Sequence, residues 1–127
     1  MKLCKVALVA VLGIGLGAGL LAGCSEDRVD ATLGARCTKA ADCTDRCLAA
    51  GADFPGGMCS RDCMSDSECP SESVCASTST GVCLYSCRDD GDCTFLGSVN
   101  GQKWTCRTVA SGQLTPVDVC LGPGAAN

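Results

Sequence analysis

The feature that most limits how this chain can fold is its run of cysteines. Past Arg36 they stand at 37, 43, 47, 59, 63, 69, 75, 83, 87, 93, 106 and 120, an even set of the kind complete disulfide pairing requires. Cut into fours, the array repeats: Cys37, Cys43, Cys47 and Cys59; then Cys63, Cys69, Cys75 and Cys83; then Cys87, Cys93, Cys106 and Cys120. Every unit opens with C-x5-C, and both junctions hold three residues, Ser60-Arg61-Asp62 and Leu84-Tyr85-Ser86. Starting the units at Cys59 and Cys83 instead would strand three cysteines at the front and one at the back, so the first register is kept. Four cysteines allow three pairings per unit. First with third and second with fourth is the pairing expected here, with the other two open.

Composition makes the cross-links necessary. The chain is 46% hydrophobic, yet it has one Trp, one Tyr and two Phe, and much of the apolar fraction lies in the first 23 residues and in the cysteines. Ordering about 100 residues costs on the order of 150 kcal/mol of conformational entropy, so a chain with few large apolar groups needs covalent help. A loop of about 15 residues closed by a disulfide contributes near 3 kcal/mol, and six bridges together on the order of 10 kcal/mol or more. The expected fold class is therefore small and disulfide-rich: three tandem four-cysteine modules (37–59, 63–83 and 87–120) with short β-strands, hairpins and little helix. Links of three residues span about 10 Å, so the modules should touch and form a compact rod or arc.

Smaller regularities follow the same register. An acidic residue precedes the second cysteine of every unit, Asp42, Glu68 and Asp92, and Asp66 and Asp90 stand two positions earlier in the last two. The units close with Gly57-Met58-Cys59, Gly81-Val82-Cys83 and Asp118-Val119-Cys120. Short strands are expected to end there, with a helical turn near Lys39 to Arg46. Asn100-Gly101 is a hairpin signal between 95–99 and 102–109. The repeated carboxylates read most simply as turn devices accepting local backbone N–H groups. Asp89, Asp90 and Asp92 around Gly91 are the candidate calcium ligands, although the spacing of an EF-hand is absent.

In its cysteine spacing the chain resembles the Dickkopf N-terminal-type cysteine-rich repeat, a module also found in tandem in bacterial lipoproteins. Cys63-Met64-Ser65-Asp66-Ser67-Glu68-Cys69 and Cys87-Arg88-Asp89-Asp90-Gly91-Asp92-Cys93 carry the resemblance. The first unit departs from it with Ala40, the third through its longer insertions.

The N-terminal stretch resembles a lipoprotein signal. Lys2 and Lys5 precede an uncharged apolar run, Val6 to Gly23, that ends in Leu21-Ala22-Gly23-Cys24, similar to the bacterial lipobox. That resemblance implies removal of 1–23, lipidation of Cys24, and an exported, lipid-anchored protein of the bacterial cell envelope, held at the outer membrane because Ser25 rather than aspartate follows Cys24. A retained span is the alternative, but glycines at 13, 15, 17, 19 and 23 disfavour a durable helix. Residues 24–36 read as a lipidated flexible tether, and 121–127 as a frayed tail.

These readings narrow the function. An oxidising compartment favours sulfur–sulfur pairing over zinc, and neither a C-x2-C pair nor a histidine is present. Without histidine no Ser-His-Asp or Cys-His arrangement exists, so no enzyme and no cofactor are expected. With Lys2 and Lys5 removed, 8 basic face 14 acidic residues, a net charge of −6 that opposes nucleic-acid binding. The expected partners are the membrane, through the lipid, and an envelope or extracellular protein. Phe95 and Trp104 in the 94–105 loop and the 49–57 loop are the candidate contact surfaces, with cover for its own bridges an equal reading of Trp104. A protease inhibitor presenting the loop from Ala49 to Pro55 is the alternative function.

Overall fold

A computed structural model describes residues 28–113 and 115–124. It is a small disulfide-rich fold built from four two-stranded antiparallel sheets and short 3-10 turns. The strands are β1 (Arg46–Leu48), β2 (Met58–Ser60), β3 (Ser73–Ala76), β4 (Val82–Tyr85), β5 (Ser98–Val99), β6 (Gln102–Lys103), β7 (Thr105–Val109) and β8 (Val117–Leu121). They pair β1–β2, β3–β4, β5–β6 and β7–β8.

One plan is used three times. The third and fourth cysteines of each unit face each other across a hairpin, Cys47 with Cys59, Cys75 with Cys83 and Cys106 with Cys120. Each bonds back to the C-x5-C loop in front of it: Cys37–Cys47 and Cys43–Cys59, Cys63–Cys75 and Cys69–Cys83, Cys87–Cys106 and Cys93–Cys120. The first-with-third, second-with-fourth pairing thus holds in every unit, with Cα separations of 5.3–5.8 Å that suit unstrained bridges. The C-x5-C loops wind into 3-10 turns at Ala40–Asp42, Asp66–Glu68 and Asp90–Leu96, as expected only for the first.

The segment before each unit joins that unit's own hairpin. Gly34 N–H donates to the Cys59 carbonyl at 2.9 Å and Cys59 N–H to Ala35 at 2.7 Å. In the second unit, Cys83 N–H donates to Arg61 at 3.0 Å and Asp62 bridges Val82. In the third, Cys87 N–H donates to Asp118 and Ser86 bridges Val119. The three-residue junctions are therefore additional strand segments, which explains their fixed length.

The reading of 24–36 as a flexible tether is corrected from Arg28 onward. Leu33 is 2% exposed and belongs to the core, and Gly34-Ala35 pairs with β2. The Arg36 guanidinium donates to the carbonyls of Pro55 at 2.7 Å and Leu96 at 3.0 Å. The tail assignment changes similarly: Leu121 is a buried strand residue, and the N–H groups of Gly122 and Gly124 donate to Asp53 and Ala52 at 2.7 and 3.2 Å.

Those last contacts bring the third unit back onto the first, where Arg107 also pairs with Asp53 at 2.8 Å. The arrangement is a closed arc, and a single apolar cluster runs through all three units, from Leu33, Leu48 and Met58 to Leu84, Trp104, Val119 and Leu121. Ser60 seals the first junction. Fully buried, its hydroxyl donates to the Cys83 carbonyl at 2.8 Å. Ser60→Ala is expected to cost roughly 1–2 kcal/mol in denaturant unfolding with all bridges intact, because the buried carbonyl loses its partner.

Candidate functional site

The acidic residues of the repeat serve the backbone. Asp42 accepts from the N–H groups of Thr38 and Lys39 at 2.8 and 3.1 Å, Glu68 from Met64 and Ser65 at 2.6 and 3.0 Å, and Asp92 from Arg88 at 2.9 Å. Each carboxylate thereby ties the residues just after the first cysteine of its unit. These backbone donors hold the Asp42 and Glu68 carboxyls below their usual range. Their stabilising effect is present above the ordinary carboxylate pKa and disappears as pH falls through the lowered value. The second acidic position makes a different contact, with Asp66 accepting from Cys75 N–H and Asp90 from Cys106 N–H, both at 2.8 Å. Each fastens the 3-10 turn to the third cysteine, a contact that Ala40 cannot make.

This placement bears on the calcium candidate. Asp89 accepts from Gly91 N–H, Asp90 from Cys106 and Asp92 from Arg88, so the three carboxylates are engaged with different backbone donors. Among the described residues, only cysteine groups bring three candidate ligand atoms within 4.8 Å of one another, and those sulfurs are joined in disulfides. The acidic run is a turn and strand tie; its carboxylates do not converge as a calcium loop would require.

The aromatic contact surface also needs correction. Trp104 is 4% exposed and lies in the core, and its indole N–H has no hydrogen-bond acceptor among the described residues. Phe95 is half-buried in the Asp90–Leu96 turn rather than in a hairpin arm. It meets the Tyr85 ring edge-on at 4.9 Å between centroids and lies beneath the Arg28 guanidinium at 4.8 Å. Only the two-residue strands β5 and β6 flank Asn100-Gly101, while Thr105–Val109 pairs with β8 instead. In the 49–57 loop, Phe54 and Pro55 are buried, and the carbonyls of Ala52 and Asp53 are taken by Gly124 and Gly122. The loop offered as the inhibitor's bait is thus tied down from Ala52 to Pro55, while Ala49, Ala50 and Gly51 stay exposed.

What the sequence did not reveal is the lock on the N-terminal segment. The Tyr85 hydroxyl reaches the carbonyls of Arg28 and Leu33, the latter at 3.2 Å, and its ring packs against Gly34. Arg28 adds an ion pair to Glu72 at 2.8 Å. Arg28, Asp30, Thr32, Pro70, Ser71 and Glu72 border the cleft that results, with Tyr85 at its floor. The available signal was slight: the sole tyrosine stands in a junction of otherwise ordinary composition.

Burial, with the Asp30 carboxylate nearby, pushes the Tyr85 phenol up to about 12. Free tyrosine titrates near 10, so between pH 10 and 12 the unfolded chain releases a proton that the folded one keeps. Stability should fall as pH rises through that window. Phenolate absorbance of this single tyrosine is expected to show a midpoint near 12 in the native protein and near 10 in denaturant. A native midpoint near 10 would contradict the burial of the phenol.

No protein-family model, curated protein or solved structure matches the chain. Fold and site define a class, a small protein held by six disulfides, and such a number of bridges belongs to an oxidising, exported environment. No helix among the described residues is long and apolar enough to cross a membrane.

Proposed function

We propose that this is an envelope lipoprotein, anchored by a lipid on Cys24, whose folded part is a rigid block for protein binding or a structural role. The observation that carries the reading is the complete pairing of the twelve cysteines from 37 to 120, which supports export to an oxidising compartment. The lipobox-like Leu21-Ala22-Gly23-Cys24 supplies the route and the anchor. Multiple acylation would make the attachment stable, since one chain alone holds only marginally. The similarity of the units to repeats found in bacterial lipoproteins supports the same assignment.

Binding is favoured over catalysis because the repeat carboxylates are committed to backbone donors. With Trp104 internal, a partner would meet the exposed loop at 49–53 and Met64, which is 82% exposed and the exposed large apolar residue among those described. Intact-mass spectrometry of the envelope form tests the anchor. A product beginning at acylated Cys24 is expected, and an unacylated chain retaining Met1 would overturn the reading. Crosslinking from Met64 in intact envelopes should capture a protein partner, and a protease panel should show no inhibition.

A further inference from the structure

The docked N-terminal segment changes what an anchor at Cys24 would do. If residues 24–36 were free, the block could stand about 40 Å from its lipid. Arg28 is already fixed, by the ion pair to Glu72, the contact with the Phe95 ring and the hydrogen bond from Tyr85 to its carbonyl. Only Ser25, Glu26 and Asp27 separate it from Cys24. Four residue steps reach at most about 14 Å, of which the headgroup layer takes about 5–7 Å.

We propose that the cleft face around Arg28, formed with Pro70, Ser71, Glu72 and Arg88, is a membrane-apposed surface resting against the headgroups of the bilayer that holds the Cys24 lipid. This rests on the lipid-anchor reading above. The face suits a zwitterionic headgroup layer because it carries both signs, Arg28 and Arg88 together with Asp30, Glu72 and Asp92, and all five are exposed. No basic patch is needed, because the lipid supplies the affinity and the short leash supplies the orientation. One end of the hairpin β3–β4 adjoins this face through Glu72 and Tyr85. Ser73 pairs with Tyr85 at the near end and Ala76 with Val82 at the other, which leaves Thr78–Thr80 at the far tip. Partners therefore reach the block from the sides and top, while the Arg28 face is covered.

The test uses the isotope-labelled lipidated protein in phosphatidylcholine bicelles that carry a gadolinium-chelating headgroup lipid, with intact mass measured on the same sample. Paramagnetic relaxation enhancement is expected to be strongest for residues 28–32, 70–72 and 86–88, and at least about fivefold weaker at Thr78–Thr80. Inserting twelve Gly/Ser residues between Asp27 and Arg28, which leaves the folded part intact, should reduce the enhancement at 28–32 by at least about fivefold, since flexible linkers of that length add about 20 Å. Uniform enhancement, or a pattern unchanged by the insertion, in a sample whose mass shows the lipid would overturn the membrane-apposed face alone. A sample without acyl groups would overturn the anchor reading, and the membrane face with it.

Discussion

Reduction and alkylation of the six bridges is expected to abolish the native near-UV signal of Trp104 and the amide protection of residues 28–124. The apolar cluster is real but thin, and cysteines make up much of it. Ordering a block of this size costs on the order of 1–2 kcal/mol per residue, which that cluster cannot offset alone. Single bridges should rank by the chain they enclose. In the chain-entropy model, replacing Cys93 and Cys120, 27 residues apart, by alanine costs about 3.5 kcal/mol. Replacing Cys37 and Cys47, 10 residues apart, costs about 2.7 kcal/mol. A reduced protein that keeps its native spectrum would show the buried side chains to be sufficient without sulfur.

The second large effect is expected from Gly57→Ala. Gly57 and Gly81 stand two residues before the fourth cysteines of their units, both at positive φ, +75° and +94°. Each lies against the carbonyl of its unit's first cysteine: an added methyl would come within 2.2 Å of the Cys37 oxygen at Gly57 and 2.5 Å of the Cys63 oxygen at Gly81. The left-handed backbone alone costs a non-glycine residue about 1–3 kcal/mol. Contact with a rigid carbonyl beside a disulfide adds to that, so a loss of at least about 3 kcal/mol is expected in equilibrium denaturation with bridges intact. Asp118 holds the corresponding place in the third unit, and it is not among the positive-φ residues. Asp118→Ala should therefore be mild. Equal losses at Gly57 and Asp118 would contradict the repeat geometry.

The sequence was most legible where constraints were local. C-x5-C spacing, the constant junctions and the Gly-x-Cys closures carried the register of the repeat, because each is set within a few residues. The spacing left three pairings open in each unit, and the strands expected to end at the fourth cysteines instead run past them, β2 to Ser60, β4 to Tyr85 and β8 to Leu121. The repeated acidic residues were read as turn devices, and Asp42, Glu68 and Asp92 are that. Their companions Asp66 and Asp90 tie the turn to a cysteine 9 and 16 residues later, a longer reach than the pattern announced. The misreadings came from distant partners. Leu33 sits in a short alternation, Val29, Ala31, Leu33 and Ala35, too weak in small residues to stand out beside the charged Arg28, Asp30 and Arg36, and its burial depends on Tyr85, 52 positions away. Trp104 read equally well as an exposed anchor and as cover for its own bridges, because nothing local to it signals its burial.

Each unit must close its own two bridges for the fold to repeat as it does, and non-reducing proteolysis with mass mapping of the cross-linked peptides reads that directly. Six pairs are expected, Cys37–Cys47, Cys43–Cys59, Cys63–Cys75, Cys69–Cys83, Cys87–Cys106 and Cys93–Cys120, with no thiol left among residues 37–120. A bridge joining two units, or a set of free thiols that bind zinc, would contradict it.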